Sequence, residues 1–160
     1  THDWWWSEFS KSTETASPGF YSVYLDGPKV KAEMMAIGTL AGVHRYTWNT
    51  PSSGTVKPSI VIDMCHDSKI EYGSSKNRCL DASLTVDEAN PNIFTGHQHT
   101  KDGLSGNLTV FIYAEFVPNS VKNNQVKSWK MCSQTDQHPS CEDDVSTKTA
   151  AEHLYGVASF

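Results

Sequence analysis

Apolar and polar residues alternate with period two along most of this chain, in short runs rich in β-branched and aromatic side chains. A strand with one face buried produces this pattern, because successive side chains point to opposite faces. The runs predict strands near 20–25, 30–37, 43–48, 60–64, 80–86, 93–99, 109–117, 126–131 and 154–160. Turn-forming groups separate them, at Ser17-Pro18-Gly19, Asp26-Gly27-Pro28, Pro51-Ser52-Ser53-Gly54 and Lys101-Asp102-Gly103. The expected fold is all-β, an antiparallel β-sandwich, with at most one short helix near 143–153 capped by Asp143 or Asp144. No repeat or linker divides the chain, so residues 1–160 read as a single sandwich domain.

The ends read differently. Trp4, Trp5 and Trp6 stand in succession, and the apolar run 154–160 reads as a strand still needing a partner. An unpaired strand edge invites association, so the chain is expected to be an incomplete segment of a larger folded unit, bound to a partner through its Trp-rich start and its apolar end.

Composition narrows the class. With 38% hydrophobic and 11% aromatic residues in 160 and a net charge of −5, the chain can bury a sizeable core, which excludes disorder. No apolar stretch approaches the roughly 20 residues a spanning helix needs; the best, 110–117, is interrupted by Glu115. Thirteen basic residues against eighteen acidic ones, with no dense Lys/Arg cluster, argue against nucleic acid as partner. Cysteines at 65, 79, 132 and 141 form no CxxC pair, so two disulfides are the better reading than zinc or redox chemistry. The simplest pairing is Cys65 with Cys79 and Cys132 with Cys141, although four cysteines allow three connectivities. Asn107-Leu108-Thr109 is an N-glycosylation sequon beside Gly106. Cysteines and sequon together point to a secreted or extracellular protein.

Candidate chemistry is sparse. No GxSxG, P-loop or GxGxxG occurs. His97 and His99 form an H-x-H pair whose imidazoles would share one strand face and could meet a metal, with Asp102 as a third ligand. The plain alternative is a strand end with two solvated histidines. Glu33, Asp63, Asp81 and Glu115 lie in strand-like runs where a glycosidase pair could hide, although most strand carboxylates face water. Glu142-Asp143-Asp144 lacks the alternating ligands and Gly of an EF-hand. Trp4, Trp5 and Trp6 could stack on sugar rings or plug a seam between subunits.

Five blocks, in order, carry a family resemblance. They are 16–25, then 31–34 leading into Gly42-Val43-His44-Arg45-Tyr46-Thr47-Trp48, then Ile60-Val61-Ile62-Asp63-Met64, Phe94-Thr95-Gly96-His97-Gln98-His99, and 110–116. Together they resemble the N-terminal region of glycoside hydrolase family 92. The resemblance implies an inverting, calcium-dependent exo-α-mannosidase, with an N-terminal β-sandwich packed on an (α/α)6 catalytic domain that holds both catalytic carboxylates. It implies no catalytic or calcium-ligating residue in this chain, which is expected to be inactive alone. It matches His44 and Arg45, which become substrate-binding candidates beside the three tryptophans, while an Arg on a strand can equally brace a neighbouring carboxylate or carbonyl. The four cysteines depart from the family pattern. The implied partner is the (α/α)6 domain, in cis or in trans, with mannose-containing glycans as ligand. The competing expectation is a structural or carbohydrate-binding subunit of an extracellular assembly, built with further copies of the chain.

Overall fold

The computed structural model describes residues 7–49, 58–65, 79–102, 106–117, 126–135, 138–143, 147–150 and 154–160. The chain divides into two compact units, Thr1–Val56 and Lys57–Phe160. The regular structure of the described residues is almost entirely antiparallel sheet, as the alternation predicts; one 3-10 turn, Lys11–Thr13, is the helical structure among them.

The first unit is a four-stranded meander, β1 (Thr15–Ser17), β2 (Phe20–Leu25), β3 (Val30–Ala36) and β4 (Gly42–Trp48), with neighbours paired in chain order. Gly19 turns β1 into β2 at φ 76°, a left-handed conformation that suits a residue without Cβ. Val23, Val30 and Ala32 are the buried apolar residues among its described residues.

The second unit holds two sheets. One has the order β10 (His138–Asp143), β9 (Ser128–Thr135), β12 (Leu154–Ser159), β5 (Ser59–Asp63). The other has the order β11 (Thr147–Ala150), β6 (Cys79–Val86), β7 (Ile93–Asp102), β8 (Gly106–Glu115). Their inner faces share one core: Met64, Cys65, Cys79, Ala82, Leu84, Val86, Phe94, Val126, Trp129, Met131, Leu154 and Ala158. Gly156 marks a close approach of the sheets, since a Cβ there would sit 2.4 Å from Leu84 Cδ2 across the core, and 3.2 Å from Trp129 Cζ3 of the neighbouring strand β9. Buried Asn92 ties the strands at one end, its Oδ1 accepting from the Val126 N–H at 2.9 Å. Such a bond removes the penalty of burying an amide.

Disulfides join Cys65 to Cys79 and Cys132 to Cys141. The second lies across directly opposed residues of β9 and β10. The first depends on an irregularity in β6: the register slips between Cys79 and Asp81, so Leu80 is an extra residue. Strict alternation would place residues 79 and 81 on one face. The bulge breaks it, turning Cys79 inward to Cys65 while Asp81 stays on the outer face.

One expectation is corrected. The run 154–160 does not wait for a partner: β12 is an inner strand, bonded to β9 on one side and β5 on the other, with Leu154 and Ala158 fully buried. Its apolar character comes from burial between neighbours. The bound of at most one short helix near 143–153 holds: Thr147–Ala150 is strand β11, paired residue for residue with β6, and a sheet edge outweighs the weak local helix preference. Trp4, Trp5 and Trp6 lie outside the described residues.

Candidate functional site

On the meander, Glu33 and Arg45 are register partners on β3 and β4. Arg45 Nε donates to Glu33 Oε2 at 2.7 Å and Lys31 Nζ lies 3.0 Å from Oε1. Glu33 is 8% exposed while the Arg45 side chain is 71% exposed. The hydrogen bonds from Arg45 and then Lys31 hold the carboxyl down at about 2. Arg45 therefore braces a buried carboxylate. His44, its neighbour, projects to the other face, where Nδ1 meets Tyr46 Oη at 3.1 Å and a row His44, Tyr46, Trp48 runs at 6.1 Å centroid spacings. His44 and Arg45 thus address opposite faces of one sheet.

An acid dependence follows. Because the Glu33 pKa is depressed in the folded state, its stabilisation is fully present above the ordinary value of 4.5 and is lost as pH falls from there through about 2. In a carboxyl-resolved NMR titration, Arg45→Ala should move the Glu33 midpoint up toward the ordinary range. An unmoved midpoint would show that Arg45 is not the brace.

The second cluster lies on the outer face of β6 and β7. Asp81 is opposite His99 and Ser83 opposite His97. His97 Nε2 meets Asp81 Oδ1 at 3.1 Å, His99 Nδ1 meets Asp81 Oδ2 at 3.2 Å, and Ser83 Oγ meets His97 Nδ1 at 2.7 Å. An ionised carboxylate only accepts, so His97 Nε2 and His99 Nδ1 are the donors to Asp81, and a neutral His97 accepts from Ser83 Oγ at Nδ1. The hydrogen bond from His97 holds the Asp81 carboxyl below its usual range, and His99 adds to this. The face continues onto β8, where Thr109, Phe111 and Tyr113 stand opposite His99, His97 and Thr95. Phe111 is 78% and Tyr113 64% exposed, and the Phe111 ring centroid lies 6.0 Å from that of His97.

The H-x-H pair does share one face, but its rings turn onto the Asp81 carboxylate. Among the described residues no three His, Cys, Asp or Glu groups are placed to hold a metal ion. Asp102 ends β7 opposite Gly106; its side chain lies outside the described residues. The other strand carboxylates are spread out. Asp63 accepts from the Cys65 N–H at 3.0 Å, and Glu115 is exposed opposite Ile93. Asn107 is exposed on β8, opposite Lys101. Sequence reasoning named the histidines but not Asp81 and Ser83 as their partners, nor the bare rings of Phe111 and Tyr113. Only strand register brings these together.

The profile of the glycosyl hydrolase family 92 N-terminal domain matches residues 1–160. Among solved structures, the family GH92 alpha-mannosidase of Bacteroides thetaiotaomicron is similar, at 24% identity over 96% of this chain and a TM-score of 0.70. The same enzyme in complex with mannoimidazole matches at 24% identity over 96% of this chain, with a TM-score of 0.69. The likeness is one of fold, and the chain spans 18% of the length of each. No curated protein matches.

Proposed function

Because the chain belongs to the glycosyl hydrolase family 92 N-terminal domain family, we propose that it is the β-sandwich portion of an extracellular, calcium-dependent, inverting exo-α-mannosidase. The catalytic carboxylates are supplied by an (α/α)6 domain outside these 160 residues. The observation that carries this reading is the family match along the whole chain.

The geometry supports a non-catalytic role for this portion. Inversion needs a general acid and a general base facing each other about 6.5–9.5 Å apart, with room for a water between them. Of the four carboxylates that the alternating runs offer, Glu33 is locked by Arg45 and Lys31, Asp81 by two histidines, and Asp63 accepts a backbone N–H. Glu33 belongs to the first unit and the other three to the second. Calcium takes six to eight oxygen ligands. Among the described residues no three His, Cys, Asp or Glu groups are placed to hold it. What these residues contribute is antiparallel sheet, stapled in the second unit by two disulfides. The disulfides and the exposed Asn107 of Asn-Leu-Thr suit secretion, with a glycan on Asn107.

The test is the reaction of the enzyme that contains this chain. NMR of an α-mannoside digest should show β-mannose as the first-formed product, and chelation of calcium should stop its release. α-Mannose as the first product, or undiminished release after chelation, would contradict the inverting, calcium-dependent reading.

A further inference from the structure

Asn107, Thr109, Phe111, Tyr113 and Glu115 alternate onto one face of β8. That face is the one that carries Asp81, Ser83, His97 and His99 on the neighbouring strands. It therefore combines a glycan acceptor at one end with two exposed aromatic rings further along. Phe111 and Tyr113, at 78% and 64% exposure, are large rings for an open sheet surface, and bare apolar surface of this kind ordinarily has an occupant. Strand geometry fixes the distances. Residues rise about 3.3 Å each, so the Cα of Phe111 lies about 13 Å from that of Asn107, within the span of the two innermost sugars of an N-linked glycan.

We propose that the glycan carried by Asn107 lies down along β8, passing over Thr109 and His99 and stacking its second N-acetylglucosamine on Phe111. The occupant follows from covalent attachment to the face it covers. A pyranose presents C–H groups on its flat side, which pack against an aromatic ring, and hydroxyls at its rim. The strand beside β8 meets those rims. With Nδ1 of His99 bonded to Asp81, Nε2 is the nitrogen that can reach a sugar hydroxyl, and His97 is held beside Phe111 by Ser83 and Asp81. The Asp81 network thereby acquires a role, fixing two imidazole rings along the path of the glycan.

This inference rests on the secretory part of the proposed function, and the experiment separates the two. The whole enzyme is produced in a glycosylating eukaryotic host, and the mass of the Asn107 peptide reports occupancy. Native enzyme is then exposed to an endoglycosidase that cuts between the two core N-acetylglucosamines, and cleavage at Asn107 is timed. Phe111→Ala should be cut about two- to tenfold faster than the parent, the worth of one aromatic contact. Phe111→Tyr should keep the slow rate, and the difference should vanish after denaturation. Phe111 is exposed enough for both variants to fold. An unoccupied Asn107 would overturn the secretory reading and this inference together. An occupied Asn107 with equal rates in the parent and Phe111→Ala would overturn this inference alone and assign the ring face to a protein partner.

Discussion

Trp129→Ala should be the most destabilising single change in the second unit, costing about 3–5 kcal/mol. Trp129 is 5% exposed and lies among Phe94 and Phe116, with centroids 5.6 and 5.9 Å away. Its ring also faces Gly156 of β12, where no side chain exists to fill the space it would leave. Removing it opens a cavity between two sheets that cannot easily close, because each is held by its own ladder of hydrogen bonds. The indole also donates from Nε1 to the Pro91 carbonyl at 2.8 Å. Trp129→Phe keeps most of the packing and loses that bond, so it should cost about 0.5–1.5 kcal/mol for the bond, plus a smaller packing loss. Domain stabilities are typically about 5–15 kcal/mol, so the alanine variant would remove a large share. Chemical denaturation followed by circular dichroism measures both variants. A shift for Trp129→Ala no larger than for Trp129→Phe would mean that the indole does not hold the sheets together.

The same packing explains which strands could be read from the chain. Where β-branched and aromatic residues alternate, as in Phe20–Leu25 or Gly42–Trp48, the periodicity locates the strand to within a residue or two. Three strands lacked that signal. β1 is three residues of Thr, Ala and Ser; β10 carries Pro139, Glu142 and Asp143; β11 is Thr-Lys-Thr-Ala. Each ends the order of its sheet, and each exists because a neighbour offers it a ladder. β10 is additionally stapled by Cys132–Cys141. The turn expected at Lys101-Asp102-Gly103 illustrates the same competition, since β7 runs through Asp102 before its partner begins at Gly106.

Partners across strands were harder to read than strands. Alternation alone put His97 and His99 on one face. Their ligand was legible only with the register of β6, where the extra residue Leu80 precedes Asp81; a carboxylate sixteen positions away in the chain carries no local mark. The bracing role open to Arg45 became specific in the same manner, once Glu33 stood opposite it. The apolar run at 154–160 misled for a related reason. An inner strand and an unpartnered one look alike in sequence, because both are apolar on two faces.

The largest functional effect concerns where the chemistry resides. General acid–base groups contribute about 10²- to 10⁴-fold each, so a sandwich without the acid and the base should show no hydrolysis attributable to either. On the proposed function, this chain positions and supports but supplies neither group. The most direct measurement is kcat for α-mannoside hydrolysis by the complete enzyme with Glu33→Gln, Asp63→Asn, Asp81→Asn and Glu115→Gln introduced singly, beside the isolated 160-residue chain. Every folded variant should keep kcat within about tenfold of the parent, well short of a lost acid or base, and the isolated chain should release no mannose. A folded variant that loses about 10²-fold or more in kcat, or an isolated chain that turns over substrate, would contradict the proposed function.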